Sequence, residues 1–186
     1  MNSKQECPVD YFKLFSFKKE FLLDLKELKS RQKMLLQKTH PDLFAKATDI
    51  EKKVASEFST LVNKAYSVLK DPIKRGEHLC SLQGLEFDME NFEFKSIGFL
   101  EQQFGIREEL DEIKNIRSND KAILIKKIDD ELKKNMDRIN LEIDKSFKEL
   151  DQKDDDSSYL LKEQLANLAF MVKACGELDE VKRSEV

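Results

Sequence analysis

"LQKTHPDLFAK", Leu36 to Lys46, decides how the first half of the chain is built. It lies between two runs whose apolar residues recur at helical spacing. Pro41 disfavours helical geometry at His40 and cannot continue the hydrogen-bond ladder, so the preceding helix stops there. Upstream, from Phe21 to Thr39, residues Phe21, Leu22, Leu25, Leu28 and Leu35 share one face, with lysines and Arg31 on the other. Downstream, Thr48 and Glu51 form a capping-box pattern that opens a second long helix. Its apolar set, Ile50, Val54, Phe58, Leu61, Ala65 and Val68, advances by threes and fours, which predicts an antiparallel hairpin.

The bulk numbers agree with a helical protein. In 186 residues, 38% are charged and 40% hydrophobic, with five glycines and three prolines. Such a chain holds one ordinary domain or two small ones, and its core needs no disulfide or metal. Cys7, Cys80 and Cys175 are far apart and form no C-x-x-C pair, so a disulfide framework and a zinc ribbon are both unsupported; a reducing compartment fits. No apolar run reaches the length of a membrane span, and "MNSKQECPVD" has neither a signal-peptide core nor an arginine-rich face. A soluble, unsecreted protein is expected. Residues 10–82 carry 15 Lys+Arg against 10 Asp+Glu, the remainder 18 against 27. That split suggests two modules, and the acidic one argues against nucleic acid as the main ligand.

The remaining elements follow from the same spacing rules. "YFKLF" reads as a short buried helix or turn, and "KDPIKRGEHLCSLQG" as a helix with Asp71 as N-cap, Pro72 at its first position and Gly84 as its stop. Gly76 inside it costs about 1 kcal/mol relative to alanine. Residues 85–95 lack a helical period and read as a connection. Phe99, Leu100, Phe104, Leu110, Ile113 and Ile116 outline the next helix, which "RSND" breaks. Ile125, Ile128, Leu132, Met136, Ile139, Ile143, Phe147 and Leu150 form the strongest stripe, on a helix about 45 Å long. After the acidic turn "DQKDDDSS", Leu161, Leu165, Leu168, Val172, Cys175 and Leu178 supply a third stripe. Three such helices joined by short turns most economically form a bundle. The predicted fold class is therefore all-α.

His40 and Asp42 have the chemistry of an acid-base pair. The chain nevertheless offers no glycine-framed nucleophile elbow and no oxyanion-hole segment. A metal site is no better supported, because the only other histidine is His78, at no ligand spacing. Taken alone, the triplet is also a good helix-ending turn. Its context adds more: "YFKLF", then Lys38 two residues before "HPD", then "NKAYSVLKDPIKR", in that order. From about Tyr11 to Leu82 this resembles a J-domain. "GFLEQQFGIREELDEI", residues 98 to 113, is similar to the signature of the HscB-type co-chaperones of iron-sulfur cluster assembly. Together the two regions cover nearly the whole chain.

The resemblance implies a J-domain at 10–82, a hairpin with flanking short helices, then a linker at 83–95 and a three-helix scaffold-binding domain at 96–184. It implies that His40, Pro41 and Asp42, with Lys38 and Arg31 beside them, dock on a DnaK/HscA-type chaperone and stimulate its ATPase. It implies that Leu100, Phe104, Glu108 and Phe170 hold an IscU-type scaffold protein, which the co-chaperone delivers for cluster transfer. Two departures stand out: Leu43 replaces a common lysine after the triplet, and Glu101 replaces a common methionine of the scaffold patch. Some members carry an added N-terminal zinc module, which Cys7 alone cannot make. No catalytic residue, metal or cofactor is expected, nor nucleic acid or membrane as a partner. The expected setting is the bacterial cytoplasm, with the mitochondrial matrix as the alternative, and the expected free state is a monomer. A different reading makes the bundle a dimerisation or substrate-holding arm of a general J-protein, motivated by the stripe from Ile125 to Leu150.

Overall fold

Asp10 accepts a hydrogen bond from the Lys13 amide (3.0 Å) and caps a single helical turn, α1 (Tyr11–Leu14). The computed structural model describes residues 8–44, 47–87, 92–94, 97–116, 121–150 and 154–184. Phe12 and Phe15 drive the turn into a core, where His78 meets it. The Tyr11 amide donates to His78 Nε2 (3.3 Å), and the two rings stack with centroids 4.5 Å apart. Burial pushes the His78 imidazole below its ordinary value, opposed by Asp10 and reinforced by Lys19.

The first long helix, α2, runs Leu25–Gln37, starting later than its predicted origin at Phe21. Asp24 accepts from the amides of Lys26 (2.8 Å) and Glu27 (3.0 Å), and this cap resets the start. Phe21 and Leu28 are buried while Leu22 and Leu25 are exposed, so the predicted apolar face holds only in part. A 3₁₀ turn, Pro41–Phe44, leads toward α3 (Asp49–Lys70), which opens with the expected capping box of Thr48 and Glu51. Gln32 donates to Asn63 Oδ1 (3.0 Å) and the hydroxyls of Thr39 and Ser59 share a 2.7 Å hydrogen bond, so α2 and α3 are antiparallel.

The face of α3 differs from the predicted one. Ala55, Val62, Ala65 and Leu69 are buried, whereas Ile50 and Val54 lie in solvent. The Thr39–Ser59 pairing explains this: the first turns of α3 extend past the end of α2. α4 (Pro72–Leu82) has Asp71 as N-cap and Pro72 at its first position, as predicted. It ends at Gly84, whose φ of +74° suits glycine, with Gly84 N–H to Ser81 O (3.1 Å) and Leu85 N–H to Cys80 O (2.9 Å) closing the cap. Arg75 is buried; its guanidinium donates to Leu69 O (2.7 Å), carries over the last turn of α3, and lies 5.0 Å from the Phe21 ring centre. Burial lowers its pKa to about 10 against the pull of Asp71, so it stays charged at neutral pH.

The chain divides into two compact units, Met1–Glu86 and Phe87–Val186. In the second, Phe92 and Phe94 belong to an aromatic cluster with Phe87, Phe99 and Tyr159, in which Phe94 stacks on Phe99 at 4.2 Å. Three helices follow: α5 (Ile97–Asn115), α6 (Lys121–Glu149) and α7 (Asp155–Arg183), the last capped by Asp154. The bonds from Cys175 Sγ to Met136 Sδ (3.4 Å) and from Lys182 to Asp129 (3.1 Å) make α6 and α7 antiparallel. α5 runs alongside α7 in the same direction, since Tyr159 meets Glu93 just before α5 and Arg107 meets Phe170 further along.

The α6 stripe is buried as predicted at Ile125, Ile128, Leu132, Ile139, Ile143 and Phe147, with Met136 and Leu150 only partly covered. It packs against α7 of the same chain. On α7 the predicted Val172 and Cys175 are not in the core; Met171 and Ala174 are. α7 touches both other helices, so its buried face is broad and includes residues that a single stripe omits. The predicted break at 117–120, residues 151–153 of the acidic turn, and Cys7 lie outside the described residues. Among the described residues the structure is all-helical, as predicted, and no helix is long and apolar enough to cross a membrane.

Candidate functional site

The turn between α2 and α3 is built by backbone and hydroxyl bonds. Thr39 Oγ1 is within 3.3 Å of Leu36 O as well as bonded to Ser59, and the Leu43 amide donates to His40 O (3.0 Å). α2 ends at Gln37, with Lys38 as its C-cap. Lys38 and His40 are exposed, and Pro41 and Asp42 open the 3₁₀ turn, their side chains lying outside what the structure describes. Leu43, the departure beside the triplet, is 68% exposed.

Arg31 is partly exposed and lines one surface depression with Lys38. Its guanidinium turns inward, donating to the carbonyls of Phe15 (2.6 Å) and Ser16 (2.7 Å), pairing with Glu27, and lying 4.1 Å from the centre of the Phe17 ring. Ser16 holds a φ of +58°, a conformation uncommon outside glycine, so Arg31 clamps a strained corner after α1. The signal for this was the aromatic-rich corner "LFSF", whose free carbonyls need a donor.

On the bundle, Leu100 and Phe104 project from α5 with 39% and 64% of their surface exposed, and Glu101 and Glu108 are exposed beside them. Phe99, Leu110 and Ile113 occupy the opposite, buried side of the helix. The phase of α7 is set by Leu168 and Met171, both fully buried. Phe170 is consequently half-buried, and the Arg107 guanidinium lies 5.7 Å from its ring centre. Sequence spacing overlooked Ile97 on α5 and assigned Ile50 and Val54 to the packed face of α3, and all three are exposed large apolar residues. Among the described residues no group of three His, Cys, Asp or Glu side chains is placed to hold a metal ion.

No protein-family model matches the chain. Among known proteins, the co-chaperone protein HscB homolog of Shewanella baltica (strain OS185) is 33% identical over 177 residues, spanning 94% of this chain and 97% of that one. The chain belongs to the HscB co-chaperone family. Its homolog from Shewanella loihica is 40% identical over 115 residues, 62% of this chain and 66% of the relative. The solved structure of chaperone HscB from Vibrio cholerae superposes with a TM-score of 0.79 at 26% identity, covering 96% of this chain and all of that one. Human co-chaperone protein HscB gives 0.75 at 25% identity, covering 100% of this chain and 85% of that one. The fold is accordingly an HscB fold, with an N-terminal J-domain and a C-terminal helical bundle.

Proposed function

We propose that this HscB-family protein is a J-type co-chaperone of iron-sulfur cluster assembly. Its bundle binds an IscU-type scaffold protein, and its J-domain brings that cargo to a DnaK/HscA-type chaperone and stimulates ATP hydrolysis there, promoting cluster transfer. The observation that carries this reading is the pair Leu100 and Phe104, two large apolar side chains left in solvent one turn apart, at the positions the resemblance marks for scaffold binding. Glu108 and the half-buried Phe170 complete the proposed cargo surface. His40, Pro41, Asp42, Lys38 and Arg31 form the proposed chaperone contact, Arg31 also holding the corner after α1. Exposed ion pairs contribute only about 0.2–1 kcal/mol each, so a contact of this type steers and then releases.

The protein has no reaction of its own in this reading; it acts on the partner's catalytic cycle. The proposed free state is a monomer, a reading supported by the packing of the long α6 stripe within the chain. Its setting is the bacterial cytoplasm, with the mitochondrial matrix as the alternative. The test is single-turnover ATP hydrolysis by the partner chaperone with and without this protein. Stimulation that disappears with His40→Gln supports the reading; no stimulation, or stimulation that survives His40→Gln, overturns it. Leu100→Ser with Phe104→Ala is expected to abolish co-elution with the purified scaffold while leaving J-domain stimulation intact.

A further inference from the structure

We infer that Phe94 and Phe92, in the stretch ahead of α5, are positioning residues for the proposed cargo surface: they hold Phe99, and through it order the turns of α5 that present Leu100 and Phe104. The inference rests on the scaffold-binding role proposed above and names what orders that site. Little else holds the first half of α5. Phe99 is the one buried residue in positions 97–109, and the next, Leu110, comes three turns later. Gly98 and Gly105 bracket the exposed pair, and glycine resists helix formation because it loses the most backbone freedom on ordering.

The rings supply the missing anchor. Phe94 stacks on Phe99 with centroids 4.2 Å apart and planes 24° apart. Phe92 meets Phe94 edge-on at 5.2 Å and stacks on Tyr159 at 5.5 Å. The Tyr159 hydroxyl lies 3.4 Å from Glu93 O and 3.2 Å from the Glu163 carboxylate, which adds a polar tie between the same stretch and α7. An unbroken series of rings therefore joins the first turn of α5 to the second turn of α7, the helix with nine buried residues. The other tie described between the two helices, Arg107 over Phe170, lies about two turns further along α5. Phe92 and Phe94 are themselves half-buried, so they brace α5 from outside the α6–α7 core. An apparent dissociation constant is the intrinsic one divided by the fraction of molecules in the competent state. A loosened α5 consequently binds more weakly with every contact residue still in place.

The experiment pairs amide hydrogen exchange of the free full chain with calorimetric titration of a purified IscU-type scaffold. Phe94→Ala is expected to lose amide protection in the first half of α5 while α6 and α7 keep theirs. It should bind the scaffold about fivefold more weakly, as an ordered fraction of about one in five gives. Phe94→Tyr keeps the stacked ring and is expected to match the wild type. Gly105→Ala raises helix propensity, and a Cβ there meets nothing within 4 Å. Alone it should bind as the wild type does; added to Phe94→Ala it should restore both protection and affinity. Binding that Phe94→Ala leaves within about twofold overturns the inference. So does weaker binding with α5 protection unchanged, which would make Phe94 a direct contact, and so does protection lost across α6 and α7 as well, which would make it part of the general core. Protection regained through Gly105→Ala without affinity also counts against it. A wild-type chain that binds no scaffold overturns the proposed function beneath it.

Discussion

His78 accepts a hydrogen bond from the Tyr11 amide, which requires an unprotonated Nε2. Its folded-state pKa lies below the ordinary 6.5, chiefly through burial, so around that value the unfolded chain binds a proton that the folded one refuses. The stability this residue contributes is therefore complete above about pH 6.5 and is lost as pH falls toward the folded value. Urea unfolding followed by circular dichroism should give a lower J-domain midpoint near about pH 5.5 than near about pH 7.5. His78→Phe keeps the aromatic stack but removes the titration, and should flatten that difference. Arg31 illustrates the same scale from the other side. A basic residue on a helix face reads as available to a partner, yet here two backbone carbonyls, a carboxylate and an aromatic ring engage it.

At the scale of elements, the ends were more legible than the faces. Asp71, Pro72 and Gly84 bound α4 where local chemistry puts them, because a cap depends on residues within one turn of itself. Asp71 accepts from Ile73 N–H (2.9 Å) and Lys74 N–H (3.1 Å) and is the anion that opposes the lowering of Arg75. Asp71→Ala should destabilise the J-domain by about 1–2 kcal/mol, seen as a shift of the urea midpoint at constant slope. The faces of α3 and α7 depended on neighbours that spacing does not reveal. Ile50 and Val54 extend beyond the end of α2, and α7 is covered from two sides. α6 has its principal partner in α7, and its single stripe was readable almost residue by residue.

Over the whole molecule, the two-part architecture was visible in the charge split and in the change of pattern near residue 85, and the chain divides at Glu86. The position of the division was less visible, because Phe92 and Phe94, in a stretch with no helical period, pack into the aromatic cluster of the second unit. Of the candidate sites, the exposure of Leu100 and Phe104 agrees with their expected outward placement. Arg31 and Phe170 illustrate what spacing cannot supply, since inward hydrogen bonds and a covering guanidinium are tertiary events.

The helices of the bundle are not equally anchored. α6 has seven buried residues and α7 nine, but α5 has three in nineteen, at Phe99, Leu110 and Ile113. Local opening follows the density of such anchors. The amides of α5 should therefore exchange with solvent deuterium sooner than those of α6 and α7 in the free protein. If the proposed cargo surface is occupied, α5 is held from its second side and that exchange slows, so that the helix carrying Leu100 and Phe104 becomes fully ordered only in the complex.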